Sequence, residues 1–289
     1  MRAGDNDLRS KIRAVSDGAV TALAISATVL VIVPLVAIFA YLVYKGAGSL
    51  NLAFFTEIPK PVGEAGGGMA NAILGSVILL AIASALGIPV GIGGGIFLAE
   101  FGRGSKLALA VRFTADVLNG VPSIVMGLAA YSLVVVPQNH FSAFSGGVAL
   151  GIMMIPTVCR TTEEMLLMVP HAVREAALAL GVPNWRSVLS ITVKTASPGI
   201  ITGCMLAFAR VAGETAPLIF TALGNSFWST SLNEPIAALP LQIWIYANSP
   251  YDDWHRLAWA GALVLIALIV VAVSLVRFVT SRGVLKGAS

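Results

Sequence analysis

The chain has 289 residues, of which 57% are hydrophobic and 11% are charged. Soluble domains carry about a quarter charged residues, so the composition excludes an ordinary water-facing surface over most of this chain and indicates helices that face lipid. A bilayer core about 30 Å thick takes about 20 apolar residues per helical crossing. The net charge of +4 comes with basic residues beside apolar runs, which favours membrane topology over nucleic-acid binding as its explanation.

Six apolar runs follow one another along the chain. Each is predicted to be a membrane-spanning helix, because backbone polar groups in lipid must be hydrogen-bonded within their own segment. The runs cover residues 18–44, 70–98, 107–136, 146–168, 198–223 and 257–280. With their loops they use nearly the whole length, which predicts an all-α membrane protein. Pro89, Pro122 and Pro156 lie inside three of the runs and are predicted to kink or interrupt those helices.

The distribution of lysine and arginine predicts the orientation. The basic residues on one side of the six predicted spans are Arg2, Arg9, Lys11, Arg13, Arg103, Lys106, Arg112, Arg174, Arg186, Lys194, Arg277, Arg282 and Lys286. Those on the other side are Lys45, Lys60 and Arg256. Cytoplasmic loops carry the excess of positive charge, so both termini are expected in the cytoplasm.

This orientation divides the chain into a cytoplasmic tail, a transmembrane domain and a second cytoplasmic tail. Their expected bounds are 1–17, 18–281 with a cytoplasmic loop at 169–197, and 282–289. The outer loops would be 45–69, 137–145 and 224–256. The third outer loop is rich in aromatic residues and proline, and is interpreted either as an interfacial aromatic belt or as a short helix that receives a partner outside the membrane.

The fourth loop contains the most specific local pattern. A short alanine-rich helix is predicted from about His171 to Leu180. Gly181 suits the position after the end of a helix, and Pro183 prevents its continuation. Glu175, near the start, interacts favourably with the helix dipole. The loop is therefore predicted to present a compact helix and turn to the cytoplasm.

This loop resembles the coupling helix of ABC importer permeases. The residues that match the family pattern are Glu175, Ala176, Ala177, Gly181 and Ile191. The resemblance implies that a separate ATPase docks at the first four of these positions and transmits its closure through them. Where the family usually has Leu-Pro, this chain has Val193 and Lys194, which leaves the path of the chain into the fifth helix open.

Charged residues also occur inside the apolar runs. Arg160 has Glu163 and Glu164 three and four residues later, and Arg210 has Glu214 four residues later, spacings that share one helical face. A central charge costs at least about 2.5–3.5 kcal/mol on insertion scales. Two interpretations are possible. In the first, each glutamate neutralises its arginine and the pair only holds the bundle together. In the second, the arginines line a path for an anion, and the glutamates keep the anion from binding too tightly for release.

Four segments closely resemble phosphate ABC transporter permeases of the PstA type. They are RTTEEMLLMVPHAVREAALALGVP, RVAGETAPLIFTALGNSFWS, EPIAALPLQIWIYA and DDWHRLAWAGALVL, and the resemblance extends from about residue 70 to residue 279. It implies the six-helix type I importer permease fold and the import of inorganic phosphate across a bacterial plasma membrane. It also implies that Arg160, Glu163 and Arg210 serve phosphate passage; Glu214 joins them as a candidate path residue.

The resemblance further implies a complex. Its expected members are this chain, a PstC-type permease, two copies of a PstB-type ATPase and an outer phosphate-binding protein. The sequence contains no G-x-x-x-x-G-K-[ST] motif, so ATP and Mg are expected on the partner ATPase, and this chain is expected to hold no cofactor, metal or catalytic site of its own.

Other functions are kept as alternatives. The arginines in the apolar runs would also suit a permease for another oxyanion, such as sulfate or molybdate, and only the resemblance selects phosphate. An intramembrane enzyme would need a nucleophile with its base, or metal ligands, at membrane depth, and none is evident. A secondary transporter would usually show two related halves.

Three pairs of glycines four residues apart are predicted to lie at contacts between helices. They are Gly91/Gly95, Gly147/Gly151 and Gly199/Gly203.

Overall fold

The structure is a computed structural model that describes residues 3–64, 66–102 and 104–286. Helices make up most of the described chain. They are α1 (Ala3–Gly46), α2 (Leu52–Thr56), α3 (Ala70–Ile96), α4 (Lys106–Gly120), α5 (Ser123–Ala130), α6 (Val136–Gln138), α7 (Ala143–Leu167), α8 (His171–Ala179), α9 (Asn184–Ser187), α10 (Val193–Ala212), α11 (Ala216–Ile219), α12 (Leu239–Ala247) and α13 (Asp252–Lys286). π-helical turns extend α3, join α5 to α6 and join α9 to α10.

Within the described residues, five helices are long and apolar enough to cross a membrane, and a sixth span arises if one bent pair is counted as a unit. The bent pair, Lys106–Gly120 and Ser123–Gln138, turns by 113° at a break that contains Pro122. This break confirms the predicted interruption at Pro122. Its physical cause is that proline disfavours helical backbone in the residue before it. In contrast, α3 and α7 continue through Pro89 and Pro156.

The predicted bounds of the fifth span are wrong. The helix covers Asn184–Ala212 rather than 198–223. Polar residues hide its first turns from a search for apolar runs, and the chain leaves the helix at Gly213. The apolar residues that follow are buried for another reason: Leu218 and Ala222 pack in the core beside α7.

Helix α7 lies at the centre of the bundle, between α3 and α10, and the approach of these helices depends on glycine. A Cβ atom on Gly91 would lie 2.6 Å from Cβ of Val158, and one on Gly203 would lie 2.6 Å from Oγ1 of Thr161. The other predicted glycine pairs meet α3 or α7 in the same way, which confirms them as helix contacts. Small residues let helix backbones pack closely in lipid.

Hydrogen bonds close the end of the bundle where α7 begins. Ser142 and Ser145 form a capping box, and the Ser145 hydroxyl also donates to the carbonyl of Thr221 at 2.8 Å. Ser76 of α3 accepts from the backbone N–H of Leu239, at the start of α12. The third predicted outer loop thus contains a true helix, α12, whose Tyr246 stacks on Trp254 at 4.7 Å between ring centroids.

Helix α1 is the most exposed of the spans. Its apolar window has no buried residue, and the helix packs mainly on α13 near Gly46, where a Cβ would lie 2.7 Å from the carbonyl oxygen of Trp259. A helix that is apolar on all sides and unburied in its own chain faces lipid or another subunit.

Orientation relative to the membrane stays a prediction. Arg2 and Arg103 lie outside the described residues, as do the side chains of Arg9, Lys11, Arg282 and Lys286. The assignment of Arg112 to a loop is wrong, since Arg112 lies in the middle of α4.

The contact between α3 and α7 predicts opposite outcomes for two neighbouring glycines. Gly91→Ala forces a methyl group against Val158 and should lower the free energy of unfolding by about 1–3 kcal/mol. Gly93→Ala is the control, because a Cβ at this exposed position meets no atom within 4 Å. Thermal unfolding of the purified chain in detergent measures both, and equal stability of the two variants would contradict the packing described.

Candidate functional site

A seam of polar side chains runs between α4 and α7. On α4 the residues follow at helical spacing, and on α7 they do the same. The members are Arg112, Asp116 and Asn119 on α4, and Thr157, Arg160 and Glu163 on α7. Arg160 lies seven residues from the end of α7 at Leu167, about 10 Å along the axis. Arg160 therefore lies inside the apolar span formed by α7, and Arg112 and Asp116 lie in α4, the first half of the bent pair.

Glu163 is the buried centre of this seam. Its side chain is 2% exposed, and both of its oxygens accept from arginine. Arg112 donates from Nε at 3.0 Å and from Nη2 at 2.5 Å to one oxygen, and Arg160 donates from Nη1 at 2.5 Å to the other. A buried carboxylate is stable only when paired, and removing one partner of a buried pair costs about 3–5 kcal/mol.

Asp116 is the exposed carboxylate of the same cluster. Its Oδ1 lies 2.9 Å from Nε of Arg160, and its side chain is 53% exposed, against 26% for Arg160 and 38% for Arg112. Exposed ion pairs contribute about 0–1 kcal/mol. Both arginines therefore share one firmly held carboxylate, Glu163, and Arg160 also contacts one loosely held carboxylate, Asp116.

The predicted cytoplasmic helix is present as α8, and its end has a defined hydrogen-bonded form. Gly181 takes a φ of +76°, its N–H donates to the carbonyl of Leu178, and the N–H of Val182 donates to the carbonyl of Ala177. These two bonds form a Schellman motif, which needs a left-handed residue after the helix. Glycine adopts that conformation without steric cost.

The surface of α8 divides the predicted docking residues into two groups. Glu175 and Ala176 are exposed, and so is Leu180, at 85%. Ala177 is 3% exposed and packs inward. It therefore seats the helix on the bundle and does not lie on the surface that a partner would contact.

A buried ion pair fastens α8 to the rest of the chain. Nη2 of Arg174 lies 2.7 Å from Oε1 of Glu100, with both side chains largely buried. The same guanidinium donates to the carbonyl of Leu166, in the last turn of α7, and to that of Val169, just after the helix ends. Arg174 thus ties α8 to α3 and α7 at once, whereas the sequence indicated only a loop charge.

Comparison with known proteins assigns this architecture to a family. Residues 91–283 match the family described as binding-protein-dependent transport system inner membrane component. A phosphate transport system permease protein PstA of Yersinia pestis is 50% identical over 83% of this chain and 81% of its own length. The chain belongs to the PstA family of ABC transporter permeases. It is accordingly a multi-pass inner-membrane protein.

More distant relatives and solved structures agree with this family. A PstA of Haemophilus influenzae is 47% identical over 81% of this chain and 82% of its own length. A probable PstA of Methanocaldococcus jannaschii is 34% identical over 90% of each chain. The permease of the inward-facing MetNI methionine ABC transporter has 18% identity and a TM-score of 0.58, and covers 76% of this chain and 97% of the other. This likeness supports the predicted importer permease fold.

The two predicted groups of charged residues, around Arg160 and around Arg210, have different outcomes in the structure. Arg160 and Glu163 lie on one helical face as predicted and form an ion pair, whereas Glu164 is exposed. Arg112 and Asp116 were missed as members of the group. The signal was present in the sequence, since Asp116 follows Arg112 by four residues inside an apolar run.

The predicted shared helical face of Arg210 and Glu214 is wrong. The helix ends at Ala212, so Glu214 lies beyond it, and among the described residues no ion pair joins the two. Arg210 lies in the last turn of α10 and is exposed, where a positive charge interacts favourably with the helix dipole.

The helix is not interrupted at Val193 and Lys194, the positions where the family pattern has Leu-Pro. The helix restarts at Asn184 and continues through a π-helical turn, Val188–Thr192, into α10. The predicted loop at 169–197 is thus helical over its second half.

Loss of charge at two neighbouring glutamates should change the stability of the permease by very different amounts. Glu163→Gln leaves two arginines without their buried carboxylate and should destabilise the permease by about 3 kcal/mol. Glu164→Gln, at the adjacent exposed position, should stay within about 0.5 kcal/mol of the wild type. Thermal unfolding in detergent tests the pair; a stable Glu163→Gln variant would show that the cluster does not hold α4 to α7.

Proposed function

We propose that this chain forms half of the phosphate path of an ATP-driven importer in the bacterial inner membrane. A PstC-type permease would supply the other half, two PstB-type ATPases the energy, and an outer phosphate-binding protein the substrate. The strong identity to proteins named phosphate transport permeases favours phosphate over sulfate or molybdate. The single observation that carries the path is the polar seam between α4 and α7.

The exposure of the seam supports this reading. Arg112 and Arg160 remain partly exposed in the single chain, although Arg160 lies within an apolar span and Arg112 within the bent pair. Direct contact of such charges with lipid would cost several kcal/mol. The open side therefore faces water or the partner permease, which is where a path between two subunits would lie.

The path residues would have different tasks. Arg160 would bind the oxyanion, since guanidinium presents two parallel donors to phosphate and stays charged. Glu163 would hold Arg160 in place and keep the anion from binding too tightly. Arg210 and Glu214, which are not paired with each other, would contact the anion at a separate position. Their different environments suit successive sites along a path.

The exposed side of α8 would be the ATPase contact. Glu175, Ala176 and Leu180 offer one acidic and two apolar groups there, while Arg174 transmits the position of α8 to α3 and α7. ATP and Mg would be bound by the ATPase, because this chain has no P-loop. The loop and both termini would be cytoplasmic.

Uptake of labelled phosphate tests the proposed function. A strain that lacks other phosphate uptake systems and this chain should recover ATP-dependent phosphate uptake when the chain is restored. Excess sulfate or molybdate should not compete. Recovery of sulfate or molybdate uptake in place of phosphate would reject the substrate assigned here.

Gly181 tests the coupling role of α8 through its backbone alone. A side chain here meets no atom within 4 Å, so only the left-handed φ opposes substitution. Gly181→Val should disturb the Schellman motif, since left-handed backbone costs about 1–2 kcal/mol for L residues and more for β-branched ones. We expect at least a several-fold fall in phosphate transported per ATP hydrolysed.

The matched control is Gly181→Asn, because asparagine tolerates the left-handed conformation. It should keep most of the wild-type ratio of transport to hydrolysis. Equal ratios in the valine variant and the wild type, with the complex assembled, would remove α8 from the coupling path.

A further inference from the structure

We propose that Arg112 and Arg160 together form a two-guanidinium oxyanion site, in which Asp116 is the counter-ion that the arriving anion displaces. This rests on the proposed function and adds two residues, Arg112 and Asp116, to the path. It follows from the unequal burial of the two carboxylates that share these arginines.

The fixed carboxylate is Glu163. It is enclosed between α4 and α7, and both of its oxygens are engaged by arginine. An incoming anion cannot replace it without leaving a buried carboxylate unpaired. Glu163 therefore remains in place and holds the two guanidinium groups on either side of itself.

The displaceable carboxylate is Asp116. It lies on the open side of the cluster, and only its contact with Nε of Arg160 holds it among the described residues. Water competes well for such an exposed pair. A phosphate group that arrives from the open side can take the place of Asp116 at Arg160, and its several oxygens can engage both arginines.

Arg112 has capacity for a second ligand. It directs Nε and Nη2 to one oxygen of Glu163, and among the described residues no hydrogen bond uses its Nη1. Its side chain is more exposed than that of Arg160. Arginine forks frequently bind phosphate through two donors, so the open edge of Arg112 suits an oxyanion.

Charge balance explains how the site both binds and releases. With Asp116 in place, two arginines face two carboxylates and the cluster is formally neutral. When Asp116 turns away, the site carries one positive charge that an anion can neutralise. Return of Asp116 then restores neutrality and favours release, which conduction requires.

A purely structural role for the cluster is less economical. Asn119 already bonds to Thr157 across the same helices, and Ala108 of α4 and Cys159 of α7 pack with Leu98 in an apolar cluster. Apolar residues usually hold helices together as well as buried ion pairs do. Two arginines with an exposed, loosely held aspartate suit a site whose occupant changes.

The test uses the complete complex in proteoliposomes, with uptake of labelled phosphate and ATP hydrolysis measured in the same preparation. Arg112→Gln should lower uptake at least tenfold while the complex assembles, because Glu163 keeps Arg160 as a partner. Arg112→Lys keeps the charge without the fork and should lie between. Arg256→Gln is the control, as it removes an exposed, ion-paired arginine at the start of α13 and should leave uptake unchanged.

Asp116→Asn supplies a readout that a structural role would not move. Binding of labelled phosphate to the purified complex without the binding protein should become at least threefold tighter, and Arg112→Gln should abolish it. Uptake within twofold of wild type in assembled Arg112→Gln, or unchanged binding in Asp116→Asn, overturns the inference. If the wild-type complex transports no phosphate, the proposed function itself fails first, so the two failures are distinct.

Discussion

The close contact of α7 with α3 and α10 determines where the charges of this permease lie. Glycines on α3 and α10 let the backbones approach until a methyl group no longer fits, as at Gly91 and Gly203. With two of its faces occupied in this way, α7 can present Arg160 and Glu163 only toward α4. The polar seam is therefore a consequence of packing, and its open side is the side that the chain does not cover by itself.

The same helix connects the seam to α8, the proposed contact of the ATPase. α7 ends where Arg174 binds its last carbonyls, and Arg174 is paired with Glu100 at the end of α3. A displacement of α8 would thus move the ends of α7, which carries half of the seam, and of α3, which packs against α7. Buried ion pairs hold a defined geometry because breaking them is costly, which suits the link between α8 and the seam that the proposed function requires.

Much of this arrangement could be predicted from the sequence. The apolar runs predicted the positions of the spans, apart from the bounds of the fifth, and Pro122 predicted the break in the third. The Glu-Ala-Ala-Gly pattern predicted α8 and its C-terminal cap. The predicted shared helical face of Arg210 and Glu214 is wrong because helix spacing was assumed beyond Gly213, where the helix has ended. Glu100 escaped notice because its partner is 74 residues away, and such contacts depend on tertiary packing and not on local spacing.

The location of bound phosphate tests this account most directly. A structure of the assembled complex, trapped during turnover with phosphate present, should contain oxyanion density within hydrogen-bond distance of the guanidinium groups of Arg112 and Arg160. Asp116 should have turned away from Arg160, and Glu163 should remain between the two arginines. Phosphate bound elsewhere along the path, with all four residues still joined as in the free chain, would contradict it.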